Sequence, residues 1–170
     1  HARAWKALFD EYLDARAKRE GADFSPFDPD RDYRKYVDGR PRYDGVASFL
    51  ASRDIMLPQG SPDDAPGKET VCGLGNKKNQ LFLDYMNKEG IEVYDSTVAL
   101  LRALKSSRFK TAVVSSSKNC GPIVGTAGLD ELFDSRVDGV DAERLGLSGK
   151  PDPDIFLEAA RRLGVSPARC

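Results

Sequence analysis

The 170-residue sequence holds one histidine, one tryptophan and three cysteines, Cys72, Cys120 and Cys170. An odd number of widely separated cysteines argues against a disulfide framework, and their spacing matches no zinc site. A reducing cytoplasm is the expected setting. No apolar run is long enough to span a bilayer, and no basic-then-apolar leader opens the chain. An excess of one charge is missing too: 26 Lys and Arg stand against 27 Asp and Glu, for a net charge of −1. Bulk attraction to nucleic acid or to an anionic membrane is therefore not expected, and any anion site must be a local cluster of donors.

What is present reads as two textures. Trp5, Leu8, Phe9, Tyr12 and Leu13 recur at helical spacing, which predicts an amphipathic helix over 2–19. Asp28 and Pro29 suit the start of a short helix that ends at Gly39. Val46, Phe49 and Leu50 mark a third helix, and a fourth runs from about Thr70 to Lys88 and stops at Gly90. Residues 1–90 thus read as a helical bundle, with "PQGSPDDAPGKE" as a loop. Residues 91–170 alternate: a short extended piece at "IEVY", a helix through Leu100, Leu101 and Leu104, an apolar strand at "KTAVVSS", a helix, a strand at "SRVDGV", and a last helix capped by Asp152. That order predicts an α/β unit with part of a doubly wound parallel sheet.

The chemistry gathers where the first strand stops. In open α/β sheets, ligands bind beyond the carboxyl ends of the strands. Ser115 sits there, followed by Ser116, Ser117, Lys118 and Asn119. Hydroxyls, an ammonium, a carboxamide and free helix N–H groups all donate to an anion, and phosphate is the natural guest. A polar turn capping the next helix is the bland alternative. "SGKPDPDIF" adds Lys150 at the same edge of the sheet.

A strand ending "VVSSSKN", followed later by "GKPDPDIFLEAARRLGV", resembles the second and third motifs of the haloacid dehalogenase superfamily, in its β-phosphoglucomutase-like branch. "HARAWKALFDEYL", "DGRPRYDGV" and "GLGNKKNQLF" are similar to that branch's helical cap. The resemblance implies a HAD-like fold, with residues 1–90 as cap and 91–170 as part of the core. Both ends read as cut inside a fold. The Asp-x-Asp first motif, with the nucleophile and the acid/base, is expected before His1, and the fourth motif after Cys170.

The resemblance also implies roles. Phosphoryl transfer through an aspartyl-phosphate relies on positioning and charge stabilisation. Ser115 would donate to a transferring phosphoryl oxygen, and Lys150 would neutralise the carboxylates and phosphate around it. Ser117, Lys118 and Asn119 would hold the phosphate or the sugar edge. His1 would steer the acid/base aspartate, against a plain capping or surface role. Arg42 would clamp the non-transferring phosphate, with Arg40 competing, and Lys78 would lie near the sugar, with Lys77 competing. Asp38 stands where the branch carries a lysine, which leaves the sugar open.

The expected function is β-phosphoglucomutase, converting β-glucose 1-phosphate to glucose 6-phosphate. A sugar-phosphate phosphatase, the trehalose-phosphate type included, and a non-catalytic sugar-phosphate-binding domain are the alternatives. Mg2+ is the implied cofactor of the intact protein, with no metal ligand expected within these residues. The expected partner is a small-molecule sugar phosphate, with no nucleic acid and no membrane, and the protein is expected to be a cytoplasmic monomer. These residues alone are expected to be inactive.

Overall fold

The computed structural model describes residues 1–21 and 23–170. They divide into two compact units, His1–Gly90 and Ile91–Cys170.

The elements of the first unit, among the described residues, are all helices. Helix α1 (Ala2–Glu20) buries Ala4, Trp5, Leu8, Phe9 and Leu13, which recur at three- and four-residue intervals and so share one face. Gly21 ends it in the left-handed conformation, φ 65°, donating its N–H to Ala17 O. Phe49, on helix α2 (Arg42–Ala51), meets Phe9 with ring centroids 4.0 Å apart and takes Phe27 edge-on at 5.1 Å. Helix α3 (Val71–Glu89) completes the bundle. Its cap is Thr70, whose hydroxyl oxygen accepts from Gly73 N at 2.9 Å and donates to Asp64 at 2.7 Å. The loop before it is pinned by Val71 N to Pro58 O and Cys72 N to Gln59 O, both 3.0 Å.

The short helix read from Asp28 onward has an unexpected form. Asp28 does cap it, accepting from Asp30 N and Arg31 N, but Tyr33–Val37 is wound as a π-helix. Tyr33 N bonds Asp28 O and Asp38 N bonds Tyr33 O, each five residues back. Within this stretch, Asp32 is 2% exposed and held by Arg53 at 2.8 Å and Arg31 at 3.1 Å.

The second unit is built on two parallel strands, β1 (Ala112–Val114) and β2 (Ser135–Val137), with Ala112 opposite Ser135 and Val114 opposite Val137. The crossover carries helix α5 (Cys120–Thr126), so the α/β class expected from the sequence is what the chain adopts. Helix α7 (Asp154–Leu163) covers the pair: Ile155 and Ala159 pack with Val137 in a core that Ala112, Val114, Ala142 and Leu147 extend. Arg162 ties α7 down, donating to Arg136 O at 2.6 Å and to Asp141 at 2.7 Å.

Three local expectations shift. "IEVY" is not a strand; it leads directly into helix α4 (Asp95–Ser106), which buries none of its residues. Helix α7 begins at Asp154 with Pro153 as its cap position rather than Asp152, and Asp154 instead accepts from Ser148 N at 2.9 Å. An unforeseen helix, α6 (Gly139–Leu145), follows β2, started by a reciprocal cap between Asp138 and Asp141.

The burial pattern predicts an asymmetric response to truncation. Phe49→Ala should destabilise the first unit by about 3–5 kcal/mol, whereas Leu100→Ala on the exposed α4 should stay within about 0.5 kcal/mol. Urea unfolding followed by tryptophan fluorescence for the first variant, and by circular dichroism for both, checks this; comparable losses would contradict the core assignment.

Candidate functional site

Two clusters of donors emerge, one in each unit. In the first, Leu74, Lys78 and Phe82 are spaced four residues apart along α3, so Lys78 is carried on the apolar face. It is only 4% exposed, and its Nζ lies 4.9 Å from the Trp5 ring centroid and 5.2 Å from that of Phe82. His1 stacks on Phe82 at 4.2 Å and brings Nδ1 to 3.1 Å from Lys78 Nζ. Arg42, the first residue of α2, donates from Nη2 to Asn79 Oδ1 at 2.9 Å. Neither Arg42 nor Lys78 has a carboxylate partner among the described residues.

Burial, then the neighbouring Arg42 charge, brings the Lys78 pKa down to about 7. Burial likewise lowers that of Arg42. The competing cations are placed differently: Lys77 pairs with Glu11, and Arg40 is exposed. His1, Arg42 and Lys78 thus come together, and the sequence could not separate them from their neighbours without knowing which helix face turns inward.

The second cluster follows β1. Ser115 N still bonds Val137 O at 3.0 Å, which fixes Ser115 at the carboxyl end of the parallel pair, one residue past the strand. Its Oγ accepts from Ser117 N and Ser117 Oγ accepts from Asn119 N, both at 3.1 Å. In these turns the serine oxygens act as acceptors, and each hydroxyl also carries a proton to donate. Asn119 is buried at the start of α5. Lys118 is held on α6 by Glu143 at 2.7 Å. Lys150 lies in the loop between α6 and α7, exposed, with Nζ 5.8 Å over the Phe156 ring and no ion pair among the described residues.

Gly139 was not foreseen in this cluster. Its N–H donates to Ser117 O at 3.2 Å, and a Cβ built there would fall 2.7 Å from Ser116 O and 2.8 Å from Lys118 N. The turn after β2 is therefore a floor for the loop after β1. The "VDGVD" sequence was the available signal: a glycine at a strand end marks close backbone approach.

Among the described residues, no three His, Cys, Asp or Glu side chains converge to hold a metal ion. The described residues do not make a Mg2+ site by themselves. No helix among the described residues is long and apolar enough to cross a membrane.

Two outcomes follow from this geometry. Gly139→Ala must displace backbone rather than a yielding side chain, so it should cost about 1–3 kcal/mol and shift the amide resonances of 115–119; unchanged resonances would show that the loop does not rest on Gly139. Between the ordinary lysine pKa of 10.5 and about 7, the unfolded chain holds a proton that folded Lys78 does not. The stability that neutral Lys78 contributes is therefore present above 10.5 and lost as pH falls towards 7. Urea midpoints of the wild type should drop relative to Lys78→Met across that window; parallel curves would contradict it.

Comparison with known proteins places this geometry in context. A family model described as haloacid dehalogenase-like hydrolase matches residues 1–170. A β-phosphoglucomutase of Mycobacterium bovis is 50% identical over 167 residues, covering 98% of this chain and 64% of the relative. The chain thus spans less than two thirds of that protein. A trehalose-phosphate phosphatase of Mycobacterium leprae is 41% identical over 76 residues, 45% of this chain and 16% of the relative. A crystal structure of β-phosphoglucomutase from Clostridium difficile superposes with a TM-score of 0.68 at 22% identity, covering 99% of this chain and 65% of that one. The parallel strand pair with its polar first strand end, the helical unit before it and these matches agree: the chain belongs to the haloacid dehalogenase-like hydrolase family, in its β-phosphoglucomutase-like branch.

Proposed function

We propose that this chain serves phosphoryl transfer on a sugar phosphate, as the cap (1–90) and part of the core (91–170) of a β-phosphoglucomutase that interconverts β-glucose 1-phosphate and glucose 6-phosphate. The observation that carries the reading is the pairing of Arg42 with Lys78. Two cations sit in one helical unit, one of them almost wholly buried, with no acidic partner among the described residues. Burying charge without compensation is costly, and a bound phosphate would offset that cost for both groups at once. A mutase has particular use for such a site. While one phosphoryl group is transferred, the sugar's other phosphate must be held, and the planar Arg42 fork suits two of its oxygens.

In this reading Ser115 donates to an oxygen of the transferring group, and Ser117 and Asn119 lend further donors. Lys118 exchanges Glu143 for phosphate, Lys150 neutralises charge at the same sheet edge, and His1 steers the acid/base. Mg2+, when bound by the intact protein, would neutralise charge on the phosphoryl oxygens. The protein is read as a cytoplasmic monomer. A phosphatase of trehalose-phosphate type is the second reading, favoured by the 41% identity over 76 residues with such an enzyme.

Calorimetric titration of the 170-residue chain with glucose 6-phosphate tests the site. Arg42→Ala and Lys78→Ala should each weaken binding about tenfold or more, as expected for a lost charged hydrogen bond. Wild-type affinity in both variants would overturn the site assignment. Supplied with β-glucose 1-phosphate, a trace of the bisphosphate and Mg2+, the full-length protein should form glucose 6-phosphate; release of inorganic phosphate instead would decide for the phosphatase.

A further inference from the structure

Arg42 has a long, flexible stem, and a guanidinium free to wander makes a poor clamp, since binding must then order it. Three features of α3 restrain it. Gly75 is the first: a Cβ there would stand 2.6 Å from a Tyr43 ring carbon and 3.4 Å from Arg42 Cδ. The missing side chain lets the first turn of α2 press against α3. Asn76 is the second. Its amide nitrogen donates to Pro62 O at 2.9 Å and Asp64 O at 2.8 Å, so its Oδ1 must be the acceptor for Tyr43 OH at 3.0 Å. The loop before α3, α3 itself and the start of α2 are thereby joined. Asn79 is the third, one helical turn beyond Gly75, and its Oδ1 receives Arg42 Nη2 at 2.9 Å.

The chemistry of that acceptor is the telling point. A carboxylate at 79 would orient Arg42 equally well, but it would pair with the guanidinium and add negative charge beside Lys78. An anion arriving there would meet a site already neutralised. A carboxamide orients the fork and leaves its charge uncompensated.

We infer that Asn79 is a positioning residue for Arg42: its neutral oxygen, backed by the Gly75 and Asn76 contacts, aims the guanidinium at the sugar phosphate's non-transferring phosphate without cancelling its charge. This rests on the proposed sugar-phosphate reading.

The test is a double-mutant cycle on the 170-residue chain, read as glucose 6-phosphate affinity by calorimetry, with a thermal melt of each variant to establish folding. Asn79→Ala should weaken binding about five- to tenfold. Asn79→Asp should weaken it further, although it keeps an acceptor in place. In an Arg42→Ala background, Asn79→Ala should have no further effect, which a merely structural role would not produce. Should Asn79→Ala not fold, the near-isosteric Asn79→Leu takes its place in the cycle. Unchanged affinity in Asn79→Ala, wild-type affinity in Asn79→Asp, or the same loss with and without Arg42 each overturns the inference while leaving the sugar-phosphate site standing. Affinity indifferent to Arg42→Ala itself overturns the sugar-phosphate site, and the inference with it.

Discussion

The first unit depends on the contact between Phe9 and Phe49. Their rings meet at 4.0 Å between α1 and α2; Trp5 stacks on Phe9, and Phe27 lies tilted on Phe9 and edge-on to Phe49. Lys78 and Arg53 are placed against this block. Trp5 stacks on Phe9 in the core and offers its ring to Lys78. Arg53 lies over Phe49 while reaching Asp32, so the one buried carboxylate in the bend before α2 is anchored to the same ring. An aromatic core suits this task, because its faces attract cations and an aliphatic core offers no such attraction.

The two donor clusters use opposite strategies. Around Lys118, charge is balanced: Glu143 holds the ammonium, and Asp138 takes Arg136 at 3.0 Å. An anion settling there displaces an existing partner. Around Lys78 and Arg42 charge is left unbalanced among the described residues, and the fold bears that cost through the packing of α1 on α3. Polar groups held in place before a ligand arrives need no reorganisation when it binds. The β1–α5 loop achieves the same with hydrogen bonds, its serine oxygens receiving backbone N–H groups and its floor supplied by Gly139.

Much of this was legible in the chain. Periodicity over Trp5–Leu13, the threonine ahead of α3 and the glycines closing α1 and α3 are local signals, and the elements lie where they point. The apolar run ending in Ser115 located the parallel strand to within a residue. What escaped depends on partners distant in sequence or on patterns too short to stand out. Helix α6 has one turn's worth of apolar residues, and its only mark is the Asp138–Asp141 pair. The π-helix surrounds Asp32, whose partner Arg53 is far along the chain. The resemblance favoured Arg42 and Lys78 over Arg40 and Lys77; the fold separates them by the Arg42 bond to Asn79 and by the α3 face that Lys78 shares with Leu74 and Phe82. Asn79 offers no signal at all without the close approach over Gly75.

The burial of Lys78 also bears on how binding to this protein exchanges heat with its surroundings. Near neutral pH the amine is protonated in only part of the population. An anion beside it favours the ammonium, so the missing protons are drawn from solution as the anion binds. Each is surrendered by a buffer molecule, and the measured heat includes that buffer's own ionisation. Phosphate and Tris differ widely in this respect, so two laboratories titrating the same ligand in different buffers would record different enthalpies for one and the same affinity.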